Sequence, residues 1–171
     1  MIAIIKATEN DFKLLADIGR QTFLESHGQS AGKADIDAYV NDKYSYPAVK
    51  AELADANNIY HIIYFNNQPV GYSKIILNSP HPNIELQNIT KLERLYLLKE
   101  FYKQKAGLEL FNFNVAIAKS NKQAGMWLFV WKKNERAISF YLKSGFEIIG
   151  SHDFQISATH SNPNHQMFLK F

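Results

Sequence analysis

The sequence predicts a mixed α/β (α+β) fold, a twisted and mostly antiparallel sheet of about seven strands with helices on both faces. Three observations carry this. Segments of strand period alternate with segments of helix period along the chain. Some strands are joined by hairpin turns and others by helical crossovers, which gives a mixed sheet. Met126 to Trp131 is an unbroken apolar run, the pattern of a central strand covered on both faces. The chain has 171 residues, 46% hydrophobic and 20% charged, with only 8 Gly and 5 Pro. That is enough for one sizeable core in a single domain over 1–171, and too apolar for a disordered chain.

Ile2 to Ala7 is rich in β-branched residues and reads as a strand. Thr8 stands three before Asp11, a capping-box arrangement opening a helix in which Phe12, Leu15 and Ile18 form one apolar stripe. His27-Gly28 closes that helix. Asp35 to Asn41 and Ala48 to Ala56 read as shorter helices, and Pro47 disfavours a helical residue before it. Ile59 to Phe65, a turn at Asn66-Asn67-Gln68, and Pro69 to Leu77 read as a hairpin, with Gly71 marking a bulge or a close backbone approach. Asn78 to Thr90 holds Pro80, Pro82 and several Asn, and reads as a loop beside the active face. Leu92 to Leu98 is the next strand and Ala106 to Ser120 the next helix. After the central strand, Asn134 is a natural N-cap for a helix that stops at Gly145. Two strands, Phe146 to Ile156 and His165 to Phe171, finish the chain around a polar loop containing Pro163.

Composition also excludes several classes. Basic residues number 19 and acidic 16, a net +3 with the signs interspersed, so no basic face calls for nucleic acid. The absence of Cys removes disulfides, thiolate metal sites, Fe–S clusters and a cysteine nucleophile. The apolar runs fall far short of the roughly 18 residues a membrane span needs. Met1 to Ile5 is followed at once by Lys6, Glu9 and Asp11, unlike a signal peptide, so a soluble cytoplasmic protein is expected. His152 and His165 lie on adjoining strands with no third ligand at metalloenzyme spacing, so they are expected to be structural and no metal is expected. Composition leaves a homodimer open.

Two segments carry chemistry. Leu95 to Gly107 is a strand running through a short loop into a helix, where free backbone N–H groups and the helix dipole suit a pyrophosphate and Lys103 and Lys105 add charge. Read alone, it is more simply an ordinary strand-to-helix loop with solvated lysines. Asn134 to Phe146 reads alone as a capped helix, with Ala137, Phe140 and Tyr141 as core residues.

Together and in this order, the segments resemble the GCN5-related N-acetyltransferase (GNAT) superfamily over essentially the whole chain. Leu92-Glu93-Arg94-Leu95-Tyr96-Leu97-Leu98-Lys99-Glu100-Phe101 resembles that family's fourth strand and its approach to the acetyl-CoA loop. Trp127 to Ile138, with Phe140-Tyr141 and Gly145-Phe146, resembles the motif in which Asn contacts the pantetheine arm and Tyr is the acid. Trp127 to Trp131, Gly150-Ser151-His152-Asp153-Phe154 and Gln166-Met167 look most like the PaiA-type spermidine/spermine acetyltransferases. One departure stands out. The family's loop, Gln/Arg-x-x-Gly-x-Gly/Ala, is here Tyr102, Lys103, Gln104, Lys105, Ala106 and Gly107, and only the last agrees. Lys in place of Gly at 105 is expected to restrict the loop or widen its path.

The resemblance implies acetyl-CoA as cosubstrate, bound by Leu97, Leu98, Tyr102 to Leu108, Asn134 and Tyr141, with a small-molecule primary amine, possibly a polyamine, as acceptor. A neutral amine attacks the thioester directly in a ternary complex, backbone N–H near Leu97 and Leu98 stabilises the oxyanion, and Tyr141 protonates the departing thiolate. An alkyl amine is mostly protonated at neutral pH, so a base is needed, and Glu93 is the candidate. Strand alternation leaves open which face Glu93 occupies. Glu25, Glu85 and Glu93 stand in or beside segments that could border an acidic cleft. The competing expectation is a CoA-binding or regulatory module that keeps the fold with little turnover because the loop is degenerate.

Overall fold

The computed structural model describes residues 1–171. In chain order the elements are β1 (Ile2–Lys6), α1 (Phe12–His27), α2 (Lys33–Lys43), α3 (Tyr46–Ala54), β2 (Ile59–Phe65), β3 (Gln68–Ile76), β4 (Ile89–Leu97), α4 (Ala106–Ser120), β5 (Gly125–Trp131), α5 (Glu135–Lys143), β6 (Glu147–Gln155) and β7 (Ser161–Lys170). The seven strands form one sheet in the order β1-β2-β3-β4-β5-β7-β6. Every neighbouring pair is antiparallel except β4 and β5, which are parallel because α4 carries the chain back between them.

Alternation along the strands divides the core in two. On one face Leu15, Ala16 and Ile18 of α1 and Val49 of α3 pack against Tyr60, Ile62 and Tyr72. On the other, Phe111 and Ala118 of α4 and Tyr141 of α5 pack against Ile75, Leu92, Met126, Leu128, Val130 and Met167. Met126, Leu128 and Val130 face α4 and α5, while Trp127, Phe129 and Trp131 face the opposite way. The continuous apolar run is thereby explained.

Local chemistry sets most boundaries. Asn66 and Asn67, at φ 48° and 66°, supply the two left-handed residues of a tight hairpin turn. Gly71 faces a register shift in the β2–β3 ladder, and a Cβ there would lie 2.4 Å from the Tyr96 carbonyl oxygen, so bulge and close approach coincide. Thr8 donates from its N–H and Oγ1 to Asp11 Oδ2 at 2.7 and 2.9 Å, which fixes the single 3₁₀ turn before α1. Gln123 pins the irregular 77–88 stretch by bonding Asn78 on both sides of its own carboxamide.

Two expectations are corrected. α3 begins at Tyr46, before Pro47, because Ser45 caps it by accepting from Ala48 N at 3.3 Å. Pro47 thus sits in the first turn, where its missing N–H has no role to lose. β7 begins at Ser161 and includes Pro163, which was expected in a loop. Pro163 is tolerated in this interior strand because its N and C=O face the end of β5, where the carbonyl accepts from Lys132 N at 2.9 Å.

Candidate active site

β4 and β5 pair only where Ile89, Thr90 and Lys91 meet Gly125, Met126 and Trp127. Beyond Lys91 the two strands part, which opens a cleft of about 520 Å³ walled by Glu93 to Tyr96, Phe129 to Trp131, Asn134, Ala137 and Tyr141. The α1–α2 segment and the β6–β7 end close its far side through Phe23, His27, Tyr39, His152 and Asn164.

The loop after β4 leads to the mouth of this wedge. Leu98 N–H donates to Val70 O at 2.8 Å, so it is not free for an acyl oxygen, which corrects its assignment as a donor. Alternation then turns the Leu97 N–H away from β3, toward the open side. Lys99 N–H is held by the Glu25 carboxylate at 2.7 Å, which ties α1 to the start of the loop. Glu25 is therefore a backbone clamp, and it does not line the cleft; nor does Glu85.

Lys105 adopts φ 58°, the left-handed conformation that favours glycine. α4 follows with no side-chain cap, which leaves the N–H groups of its first turn, Ala106, Gly107 and Leu108, without intrahelical partners. A Cβ on Gly107 would come 3.2 Å from the Leu97 side chain, so glycine lets α4 sit close on β4. Lys103, Gln104 and Lys105 are exposed around this helix end. Tyr102 lies flat under the Arg136 guanidinium, 3.6 Å from its carbon to the ring centroid, which brings a cation of α5 to the same spot.

Asn134 accepts from Ala137 N at 3.2 Å, so it caps α5 while its carboxamide borders the cleft. Tyr141 packs its ring on Phe140 and Phe146 at 5.3 and 5.4 Å between centroids. Its hydroxyl borders the cleft, and burial holds its pKa well above that of an ordinary phenol.

An extra residue on β4 against Lys74 and Ile75 of β3 settles the orientation of Glu93. This bulge puts Glu93 and Arg94 on the same side, facing the cleft. Lys74 Nζ stands 2.9 Å from both Glu93 Oε2 and Glu52 Oε2. The Glu93 contact is angled away from a hydrogen bond, so this pairing is electrostatic and the oxygen's lone pairs stay unbonded. Glu52 also takes hydrogen bonds from Tyr60 and from both terminal nitrogens of Arg94. Burial alone would raise the Glu52 pKa, but Arg94, Tyr60 and Lys74 together hold it below the usual carboxylate value. His27, at the end of α1, is pushed down to about 4 by burial and packs against Phe23, Tyr96 and Trp131.

Of the residues the sequence nominated, Glu93, Asn134 and Tyr141 line the cleft, while Leu97 and the 102–108 loop lie outside its lining, with Gly107 close on Leu97 and Tyr102 against Arg136 of α5. Sequence reasoning missed Arg136, the Glu52–Lys74–Arg94 cluster and the cleft-facing Asn162 and Asn164. Only the last pair left a signal, polar residues at alternate positions in a strand, and Pro163 obscured it. His152 and His165 occupy successive register positions facing Asn164 and Ser151, so they project from opposite faces of the sheet. No three His, Cys, Asp or Glu side chains come together as a metal-binding group, and no helix is long and apolar enough to cross a membrane.

The sheet is thus split between two parallel strands, with an uncapped helix following the first and a tyrosine in the wall of the cleft. Residues 21–146 match the model of the Acetyltransferase (GNAT) family. The chain belongs to that family, whose enzymes transfer an acetyl group from acetyl-CoA. It is 24% identical over 153 residues to an uncharacterized N-acetyltransferase from the pepI 3′ region of Lactobacillus delbrueckii subsp. lactis, covering 90% of this chain and 88% of the relative. It is 22% identical over 151 residues to a spermidine N(1)-acetyltransferase of Thermoplasma acidophilum, covering 86% and 89%. The fold is also that of the PaiA N-acetyltransferase of Thermoplasma acidophilum, solved in complex with coenzyme A, at a TM-score of 0.79 and 21% identity over 100% of this chain and 99% of that one.

Proposed function

We propose that the protein moves an acetyl group from acetyl-CoA to a small primary amine by direct attack in a ternary complex. The observation that carries this is the parting of β4 and β5 into a cleft lined by Asn134 and Tyr141, with the uncapped α4 following β4. The α4 N–H groups with Lys103, Lys105 and Arg136 fit a pyrophosphate, and the apolar wedge between β4 and β5 fits a pantetheine arm. A bound acetyl thioester supplies an activated acyl carbon. Leu97 N–H donates to the acyl oxygen as charge develops there. Tyr141, still protonated at neutral pH, gives its proton to the departing sulfur. Glu93 takes the proton that the attacking amine must lose, with Lys74 holding the carboxylate in place. Asn134 fixes the start of α5, and so the position of Tyr141.

Lys105 in the glycine conformation supports turnover over the alternative of a CoA-binding regulatory module, since the cradle is kept. A polyamine acceptor is supported by the name of the spermidine acetyltransferase relative. The charge of the cleft does not add to that support, because Lys43, Lys91 and Arg94 balance Glu52, Glu93 and Asp153 in its lining. The test is melting and thiol release. Acetyl-CoA at about 100 times its dissociation constant should stabilise the protein by about 2.7 kcal/mol, and amines should then liberate free thiol. A melting shift without thiol release across a broad amine panel supports the regulatory module, and no shift rejects both.

A further inference from the structure

One row of side chains in the cleft has no part in the reaction above. Asn162, Asn164 and Gln166 alternate along β7 and so project from one face, all buried, at 3%, 7% and 1% exposure. Gln166 lies under the 77–88 loop, where its Oε1 accepts from Asn83 Nδ2 at 2.7 Å. Asn162 and Asn164 line the cleft. His160 Nε2, 3.0 Å from Asn162 Oδ1, sets which way that carboxamide points, and its Nδ2 is left with no acceptor. Asn164 Oδ1 has no donor. A buried polar atom without a partner is costly, so an orphan donor and an orphan acceptor two residues apart on one strand call for a ligand that supplies both counterparts.

The surroundings narrow its chemistry. Lys91 has no carboxylate partner, and its Nζ lies over the rings of Trp127 and Phe129, 5.2 and 5.7 Å from their centroids. His152, the register partner of Asn164, stacks on the same Phe129 ring at 4.2 Å. His81 accepts from Asn83 N on Nδ1 at 3.2 Å, so its neutral form carries the proton on Nε2 and can donate beside Phe129. Donors therefore dominate this corner. A carbonyl or carboxylate oxygen satisfies them, whereas a simple polyamine leaves Asn162 Nδ2 unpaired and sets an ammonium near Lys91.

We propose that Asn162 and Asn164, with Lys91 at the rim, form the acceptor subsite and select a primary amine bearing a carbonyl oxygen, an amino acid or its amide, over a bare diamine. This rests on the acetyltransferase reading above. Three acceptors that share a five-carbon diamine skeleton test it: 1,5-diaminopentane, lysine and lysinamide. Wild type should favour lysine or lysinamide over the diamine by about tenfold or more in kcat/KM, and Asn162→Leu and Asn164→Leu should each collapse that ratio. The comparison across variants removes the different intrinsic reactivities of the three amines. Lysine against lysinamide, with Lys91→Gln, separates a carboxylate from an amide oxygen. Asn164→Leu deletes an orphan acceptor and should melt at or above wild type, whereas Asn162→Leu also removes the acceptor of His160 Nε2 and is judged by the ratio alone. Equal or better use of the diamine overturns the proposal, and so do an unchanged ratio in both variants, melting of Asn164→Leu well below wild type, or no acetylation of any of the three by protein that binds acetyl-CoA. Failure to bind acetyl-CoA overturns the acetyltransferase reading itself, and this proposal with it.

Discussion

The region we propose for the cofactor is built from backbone, and the region we propose for the acceptor from side chains. The first is two contiguous stretches, 95–108 and 134–141, in which a strand end, a left-handed residue and an uncapped helix present N–H groups in fixed directions. The second gathers His27 from α1, Glu52 from α3, Lys74 from β3, Glu93 from a β4 bulge and the amides of β7. A backbone cradle tolerates substitution as long as φ is kept, which is why Lys105 can replace a glycine there. A side-chain cage has no such tolerance, and it is there that we place acceptor selection.

Tyr141→Phe tests the joint between the halves and should have the largest effect. The ring and its packing on Phe140 and Phe146 stay, and only the transferable proton goes. Turnover should fall by about 10²- to 10⁴-fold with little change in acetyl-CoA affinity. Full turnover with chemistry rate-limiting would move the acid elsewhere. A large drop in melting temperature would make the hydroxyl structural.

A smaller effect tests the cradle alone. Lys103→Ala with Lys105→Ala should weaken CoA by about tenfold, the scale of one charge-assisted phosphate contact, and should weaken a phosphate-free pantetheine fragment much less. Lys105→Gly relieves the left-handed strain, worth about 1 kcal/mol, and should raise the melting temperature while losing one charge toward CoA. Equal losses for CoA and pantetheine would mean that the lysines act on loop shape and not on phosphate.

The same division explains what could be read beforehand. The order of elements, the hairpin at Asn66-Asn67 and the Asn134 cap follow from short-range chemistry, and so were legible. The family pattern also pointed to Asn134 and Tyr141, which both line the cleft. The donor role of Leu98 was misassigned because the Val70 carbonyl that consumes its N–H lies on another strand. Glu25 stands in a segment that could have bordered an acidic cleft, but it bonds Lys99 N. The Glu93 face depended on one inserted residue in a ladder, and Pro163 hid a strand because its missing N–H happens to face the end of β5. These depend on partners far away in sequence, which no local pattern encodes.

The last and smallest effect compares two buried histidines, His27 in the acceptor half and His61 on β2 under Phe113 of α4. Burial pushes both down to about 4, with Lys6 adding to the effect at His61. An unfolded chain protonates its histidines near pH 6.5, so between pH 6.5 and 4 the unfolded state binds more protons than the native one. The histidine contribution to stability is therefore full above pH 6.5 and falls as the pH drops toward 4, where the native imidazoles also protonate and the slope ends. Denaturant midpoints at pH 7.5 and 5 isolate this loss, because Glu52, held below the usual carboxylate value, is charged at both. His27→Phe and His61→Phe keep an aromatic ring in place, and each should remove part of the drop between the two pH values. An unaltered drop in His27→Phe would show that its imidazole stays wet in the native state, and the acceptor half would then be more open than its packing against Tyr96 and Trp131 implies.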